Sequence, residues 1–206
     1  MIHPNRARAR VRTVLVTAVV AVAVLAGCSS QADSLANDYS KGDDGGDYIS
    51  GDGTTVVISA AQRKGPVPFG GTSDSGATIS SADFAGKVVL VNFWYAACGP
   101  CRTEAADLEK LYKKYGDDGV VFVGVNLRDS AAQARTFAQK FGVGYSSILD
   151  AEKNDVTLAF AGNVPPNAVP TTLLLDKKGR VAARFSGAIQ SPSVVSTVLD
   201  DLVAEK

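Results

Sequence analysis

The chain has 206 residues, room for one domain with a leader and a linker, and its 21 basic and 21 acidic side chains cancel. The charge is unevenly placed: four arginines (Arg6, Arg8, Arg10, Arg12) and no acid lie in the first 27 residues, leaving 21 − 4 = 17 basic against 21 acidic residues, a net of −4. An acidic remainder gives no reason to expect nucleic acid as a partner.

Residues 1–27 read as an export signal: an arginine-rich start, then the apolar run Val14 to Ala26. That run falls short of the about 20 residues that span a bilayer. It closes on Leu25-Ala26-Gly27-Cys28, which resembles the lipobox of bacterial lipoproteins. The resemblance implies that Cys28 becomes the lipidated first residue of the mature chain, held at the extracytoplasmic face of the cell membrane. The alternative is an ordinary secretory signal or an uncleaved anchor with an incidental cysteine. Removing the leader removes His3 and Met1, the only histidine and the only methionine. No mechanism built on a histidine base, a histidine ligand or a methionine ligand then remains. Residues 28–54 are rich in Asp, Gly and Ser and poor in apolar side chains, as a flexible, lipid-anchored linker would be. As a coil this linker spans about 28 Å.

Residues 55–206 carry the periodic pattern of a folded domain. Val56 to Ile58 reads as a short strand. Val67 to Thr72 and Ala77 to Ile79 flank Ser-Asp-Ser-Gly, a hairpin signal. Val88 to Tyr95 is almost entirely apolar, as in a strand buried on both faces. Leu108, Leu111, Tyr112 and Tyr115 then stripe one face of a helix. Val120 to Val125 is a second buried strand, followed by a helix marked by Ala134, Phe137, Ala138 and Phe141. Val156 to Phe160 is a short helix. Thr171 to Leu175 and Val181 to Phe185 are strands about the turn Asp-Lys-Lys-Gly, and Val194, Val195, Val198, Leu199 and Leu202 mark a last helix. This order predicts an α/β fold with helices on both faces of a sheet.

The remaining cysteines, Cys98 and Cys101, stand where the first buried strand turns into a helix. A structural clip across so short a loop removes little unfolded-state entropy. A structural zinc site takes four Cys or His ligands, and one chain offers two, although a dimer or a soft ion such as Cu(I) could use them. A redox pair fits the position best. Residues three apart on a helix are neighbours, Pro100 suits a first helical turn, and the free N–H groups at a helix start favour a thiolate on Cys98. Cys101, one turn inside, is expected to be the more buried and less reactive thiol.

"VVLVNFWYAACGPCRTE", "AVPTTLLLD" and "GRVAARFSG" resemble the TlpA/ResA-like family of membrane-tethered thioredoxin-fold thiol–disulfide oxidoreductases, over residues 55–206. The resemblance implies a thioredoxin-like mixed sheet flanked by helices, with an added N-terminal β-hairpin. It implies Cys98 as nucleophile and Cys101 as resolving thiol. Pro170 would be the cis-proline opposite them, with Trp94, Gly99, Pro100, Val169 and Pro170 forming the substrate surface. From the residues alone, Pro165 or Pro166 could hold the cis bond instead. Glu104 matches a family glutamate that handles the proton of the buried cysteine. Its other reading is a first-turn glutamate attracted by the helix dipole. Asn92 stands where thioredoxin has a buried aspartate.

The chain departs from the family at Ala97, where a tryptophan usually precedes the first cysteine, and the stretch Phe160 to Pro170 is longer than a minimal thioredoxin loop. The expected activity is reduction of disulfides in exported proteins such as apocytochrome c. It needs no bound cofactor or metal, and a membrane thiol–disulfide donor would renew the pair. The alternatives are a disulfide-forming oxidase and a non-enzymatic surface-binding lipoprotein. A peroxidase is disfavoured by Tyr95, where peroxiredoxins place threonine. Oligomeric state is not legible.

Overall fold

The computed structural model describes Tyr48–Ile49 and residues 54–163 and 168–206. The expected leader, Cys28, and Pro165 and Pro166 lie outside the described residues. A seven-stranded sheet has the order β1-β2-β9-β8-β5-β6-β7. Its strands are β1 (Tyr48–Ile49), β2 (Thr55–Val57), β5 (Val89–Trp94), β6 (Val121–Asn126), β7 (Ser147–Leu149), β8 (Thr171–Leu175) and β9 (Val181–Ser186). Strands β5, β6 and β7 run parallel, and β8, β9, β2 and β1 continue the sheet with antiparallel pairings. Strands β3 (Gly70–Thr72) and β4 (Thr78–Ser80) form a separate hairpin, joined to β7 by a bridge from Ser73 to Ile148. A 3₁₀ turn, Ser81–Phe84, follows it.

The apolar run of β5 is buried at every position, and alternation sorts it between two faces. Leu90 packs towards α1 (Gly99–Tyr115) and α4 (Pro192–Ala204), with Leu108, Leu111, Tyr115, Val195, Val198 and Leu199. Val89, Val91 and Phe93 face the other way, onto Phe69, Val156 and Phe160, beside the hairpin and α3 (Asp155–Ala159). A third cluster joins Trp94, Cys98, Cys101 and Ala105 to Ala134 and Phe137 of α2 (Ala131–Phe141). Helix α2 starts with a Ser130/Gln133 capping box and stops at Gly142, whose φ of 71° is a conformation glycine adopts without steric cost.

The expected elements form, with three differences. The sheet reaches upstream of the expected domain start at Thr55. Tyr48 and Ile49, placed by sequence in the linker, pair with Val57 and Val56, so β2 has a neighbour on both sides. The first hairpin strand is only Gly70–Thr72, because Pro68 has no N–H to give a ladder. Strand β7 has only three residues and too little apolar pattern to announce itself; it forms by pairing with Gly124 to Asn126. Among the described residues no helix is long and apolar enough to cross a membrane.

Candidate active site

Strand β5 delivers the chain through Tyr95, Ala96 and Ala97 to Cys98, the N-cap of α1. Gly99 and Pro100 form the first helical positions, and Cys98 and Cys101 are joined as a disulfide with Cα atoms 5.3 Å apart. The Cys101 N–H donates to Cys98 Sγ at 3.1 Å, so the first sulfur occupies the place of an N-capping oxygen. Here the expected contrast in burial is corrected. Cys98 is 4% and Cys101 3% exposed, because a bonded pair shares one cover. The two cysteines differ instead in position. Cys98 sits at the helix end, whereas Cys101 lines a small cavity behind the disulfide with Asn92, Trp94, Phe137 and Tyr145.

Glu104, one turn beyond Cys101, points inward and is 2% exposed. Its Oε1 accepts from Asn92 Nδ2 at 2.9 Å and its Oε2 from the Ile189 N–H at 3.1 Å. Asn92 also donates to Thr172 Oγ1 at 3.1 Å. Burial pushes the Glu104 carboxyl up from 4.5 to about 7, against the downward pull of its two donors. Against the alternative of an ordinary first-turn glutamate, the side chain is buried in the core. Tyr145 is raised as well, first by burial and then by the carboxylates of Glu104 and Glu109.

The Val169–Pro170 peptide is cis, and Pro170 leads directly into β8. Val169 packs against the cluster that holds both cysteines. The Pro170 carbonyl accepts the Gly187 N–H at 2.8 Å, which ties this segment to the end of β9. Gly99 and Pro100 are exposed beside the disulfide. Trp94, expected on the substrate surface, is not there. The residue is 5% exposed, its ring is tilted against Phe137 with centroids 4.3 Å apart, and its indole N–H donates to Ser147 Oγ at 3.0 Å. The last residue of a strand buried on both faces points into the core.

Sequence reasoning missed the clamp on the turn before Cys98. Asp129 Oδ2 accepts the Ala96 N–H at 2.6 Å and Asn126 Nδ2 at 2.8 Å, and Arg102 Nε donates to the Ala96 carbonyl at 2.8 Å. The Arg128 guanidinium lies 4.3 Å from the Tyr95 ring. The run Asn126-Leu127-Arg128-Asp129-Ser130 announces a helix start, but not that its aspartate reaches across to the cysteine turn. Among the described residues no group of three or more His, Cys, Asp or Glu side chains could hold a metal ion.

Comparison with known proteins bears on this geometry. The sequence profile of the Redoxin family matches residues 60–202. The chain belongs to the Redoxin family. It is 29% identical to the thiol-disulfide oxidoreductase ResA of Geobacillus thermodenitrificans over 149 residues, 69% of this chain and 83% of that protein. It is 33% identical to the thiol:disulfide interchange protein HelX of Rhodobacter capsulatus over 129 residues, 62% of this chain and 68% of that one. The crystal structure of a secreted thiol-disulfide isomerase from Corynebacterium glutamicum superimposes with a TM-score of 0.67 at 34% identity, covering 77% of this chain and 97% of that chain. The fold is thus thioredoxin-like, and this redoxin, with its CxxC pair at the start of α1, is a thiol–disulfide oxidoreductase.

Proposed function

We propose that this redoxin reduces disulfides of exported polypeptides, with Cys98 as nucleophile, Cys101 as resolving thiol and Glu104 as the group that takes the Cys101 proton. The single observation that carries the roles is the N-cap position of Cys98, where its sulfur accepts a backbone N–H. Donors aimed at that sulfur favour its thiolate.

In the reduced protein the Cys98 thiolate attacks one sulfur of a substrate disulfide. A mixed disulfide forms, and a substrate thiolate leaves and takes up a proton. Glu104 accepts the proton of the Cys101 thiol, and the Cys101 thiolate attacks Cys98 Sγ. The second substrate thiolate leaves and is protonated in turn. Two electrons pass to the substrate; its two thiolates take one proton from water and one that Glu104 gives up, and the protein is left as the Cys98–Cys101 disulfide with Glu104 ionised again. A membrane thiol–disulfide donor returns the electrons. Gly99, Pro100, Val169 and Pro170 form the surface on which an extended substrate segment lies.

Three features favour reduction: the Gly-Pro dipeptide between the cysteines, the absence of a histidine beyond the leader, and the resemblance to ResA and HelX. That resemblance also makes apocytochrome c the proposed substrate, and the lipobox-like Leu25-Ala26-Gly27-Cys28 makes the extracytoplasmic face of the membrane, with Cys28 lipidated, the proposed location. One observation favours the oxidase reading. Arg102 sits beside the helix start with its Nε on the Ala96 carbonyl and adds positive charge near Cys98. Its exposure keeps that effect small.

Insulin reduction with dithiothreitol tests the activity. Wild-type protein is expected to accelerate precipitation and Cys98→Ala to abolish the acceleration; equal rates in the two would refute the role of Cys98. Cys101→Ser is expected to accumulate mixed disulfides with its substrates, and recovery of none would remove the resolving role.

A further inference from the structure

A groove of about 320 Å³ opens beside the disulfide, between the start of α1 and one face of α2. Its apolar lining includes Ala96, Ala132, Phe137 and Phe141, and the two phenyl rings lie 4.5 Å apart. Arg102 and Lys140 stand at its edge, both exposed and in no ion pair among the described residues. No acid lines it, and α2 contains none from Ala131 to Phe141. Asp129, which borders Ala96, is committed to the Ala96 N–H and to Asn126. A cationic groove on a chain whose net charge beyond the leader is −4 (17 − 21) runs against the charge of the molecule as a whole.

We infer that this groove docks the stretch of substrate polypeptide that flanks the attacked cysteine, and that it selects an apolar side chain followed by acidic ones. The inference rests on the proposed reductase activity and names the class of substrate that activity prefers. Position supports it: Ala96 lies two residues before Cys98, and Arg102 directly follows Cys101, so the groove adjoins the turn that carries the cysteines. Length supports it too. From Ala132 to Phe141 the helix rises roughly 14 Å, the span of about four extended residues. The apolar side chain rests on Phe137 and Phe141, and carboxylates on the next residues meet Arg102 and Lys140. Arg102 also donates through Nε to the Ala96 carbonyl and Lys140 lies 5.7 Å from the Phe141 ring, but neither meets a carboxylate among the described residues, and surface cations of this kind set partner choice and encounter rate more than total affinity.

The test uses the full-length protein, dithiothreitol as reductant and three disulfides. Two are peptides with the same cystine, one flanked on both sides by Leu-Asp-Asp and one by Leu-Lys-Lys; the third is glutathione disulfide. Wild-type protein is expected to favour the aspartate peptide in kcat/KM, and Lys140→Glu to cut that preference about fivefold. Lys140→Arg is expected to keep the preference, and turnover of glutathione disulfide to be the same in all three proteins. Added salt should narrow the preference. Equal rates for the two peptides, untouched by Lys140→Glu, would overturn the docking site and leave the reductase reading standing. Reduction of none of the three disulfides would overturn both. A rise in turnover of every disulfide in Lys140→Glu would mean that the acidic stretch before residue 54 of this chain occupies the groove, and would overturn the substrate assignment.

Discussion

Glu104 is a buried carboxyl whose surroundings hold it well above the ordinary carboxylate range. Burial pushes its carboxyl up from the 4.5 of a free side chain to about 7. Between those values the unfolded chain has lost the proton and the folded chain keeps it, so stability falls as pH rises through this window and is fully present below it. The loss is about 3 kcal/mol, complete above neutrality. Urea unfolding of the oxidised protein at acidic and mildly alkaline pH is expected to show this decline in wild type and a flatter profile in Glu104→Gln. The same variant should slow disulfide exchange and lose the limb of the pH–rate profile that titrates near 7. An unchanged profile would leave Glu104 a structural group only. Asp129 carries a different kind of argument. Its carboxylate satisfies the Ala96 N–H and Asn126 Nδ2 through one oxygen, and an amide oxygen can accept both bonds. Asp129→Ala is expected to cost roughly 2 kcal/mol in urea unfolding, and Asp129→Asn to recover most of it.

At the scale of the element, the junction of β5 and α1 makes the site, and its parts were legible for local reasons. An unbroken apolar run, a proline in a first helical turn and two cysteines three apart are patterns within one stretch of chain. So is the stripe of α4, whose Val194, Val195, Val198, Leu199 and Leu202 all proved buried. What stayed hidden depends on partners distant in sequence. Strand β7 exists because Gly124 to Asn126 offers it a ladder, and β1 because β2 does. The family resemblance puts Trp94 on the substrate surface; only the sheet decides that it turns inward. The inward turn of Glu104 is set in the same way, by Asn92 on β5 and Ile189 beyond β9. Helix α4 also offers a test of the core apart from the chemistry. Leu199 is 0% exposed beneath the sheet. Leu199→Ala is expected to lower stability by about 2–5 kcal/mol in urea unfolding while exchange with glutathione disulfide keeps its wild-type rate. A loss well below that range would mean that α4 repacks freely.

For the whole molecule the open quantity is the direction in which electrons flow, and the fold supplies its own reporter. The chain has one tryptophan. Trp94 shares a buried cluster with Cys98 and Cys101, so its emission should change when the disulfide opens. A reduction potential reflects how much more the fold stabilises the dithiol than the disulfide, and a strongly stabilised thiolate makes a pair oxidising. Here the Cys98 sulfur has the helix start and the Cys101 N–H in its favour, with Arg102 adding a modest, solvated charge. The sequence has one histidine, His3, far in sequence from Cys98, and the buried carboxyl of Glu104, one turn beyond Cys101, opposes a second negative charge when ionised. The balance places the pair near thioredoxin, at about −270 mV, and far from the oxidising extreme of about −120 mV. Equilibration of the full-length protein against dithiothreitol buffers, followed by Trp94 emission, is expected to return a value at the reducing end. A midpoint reached already in glutathione buffers near the oxidising extreme would reverse the direction, and this redoxin would then be a disulfide donor to exported chains.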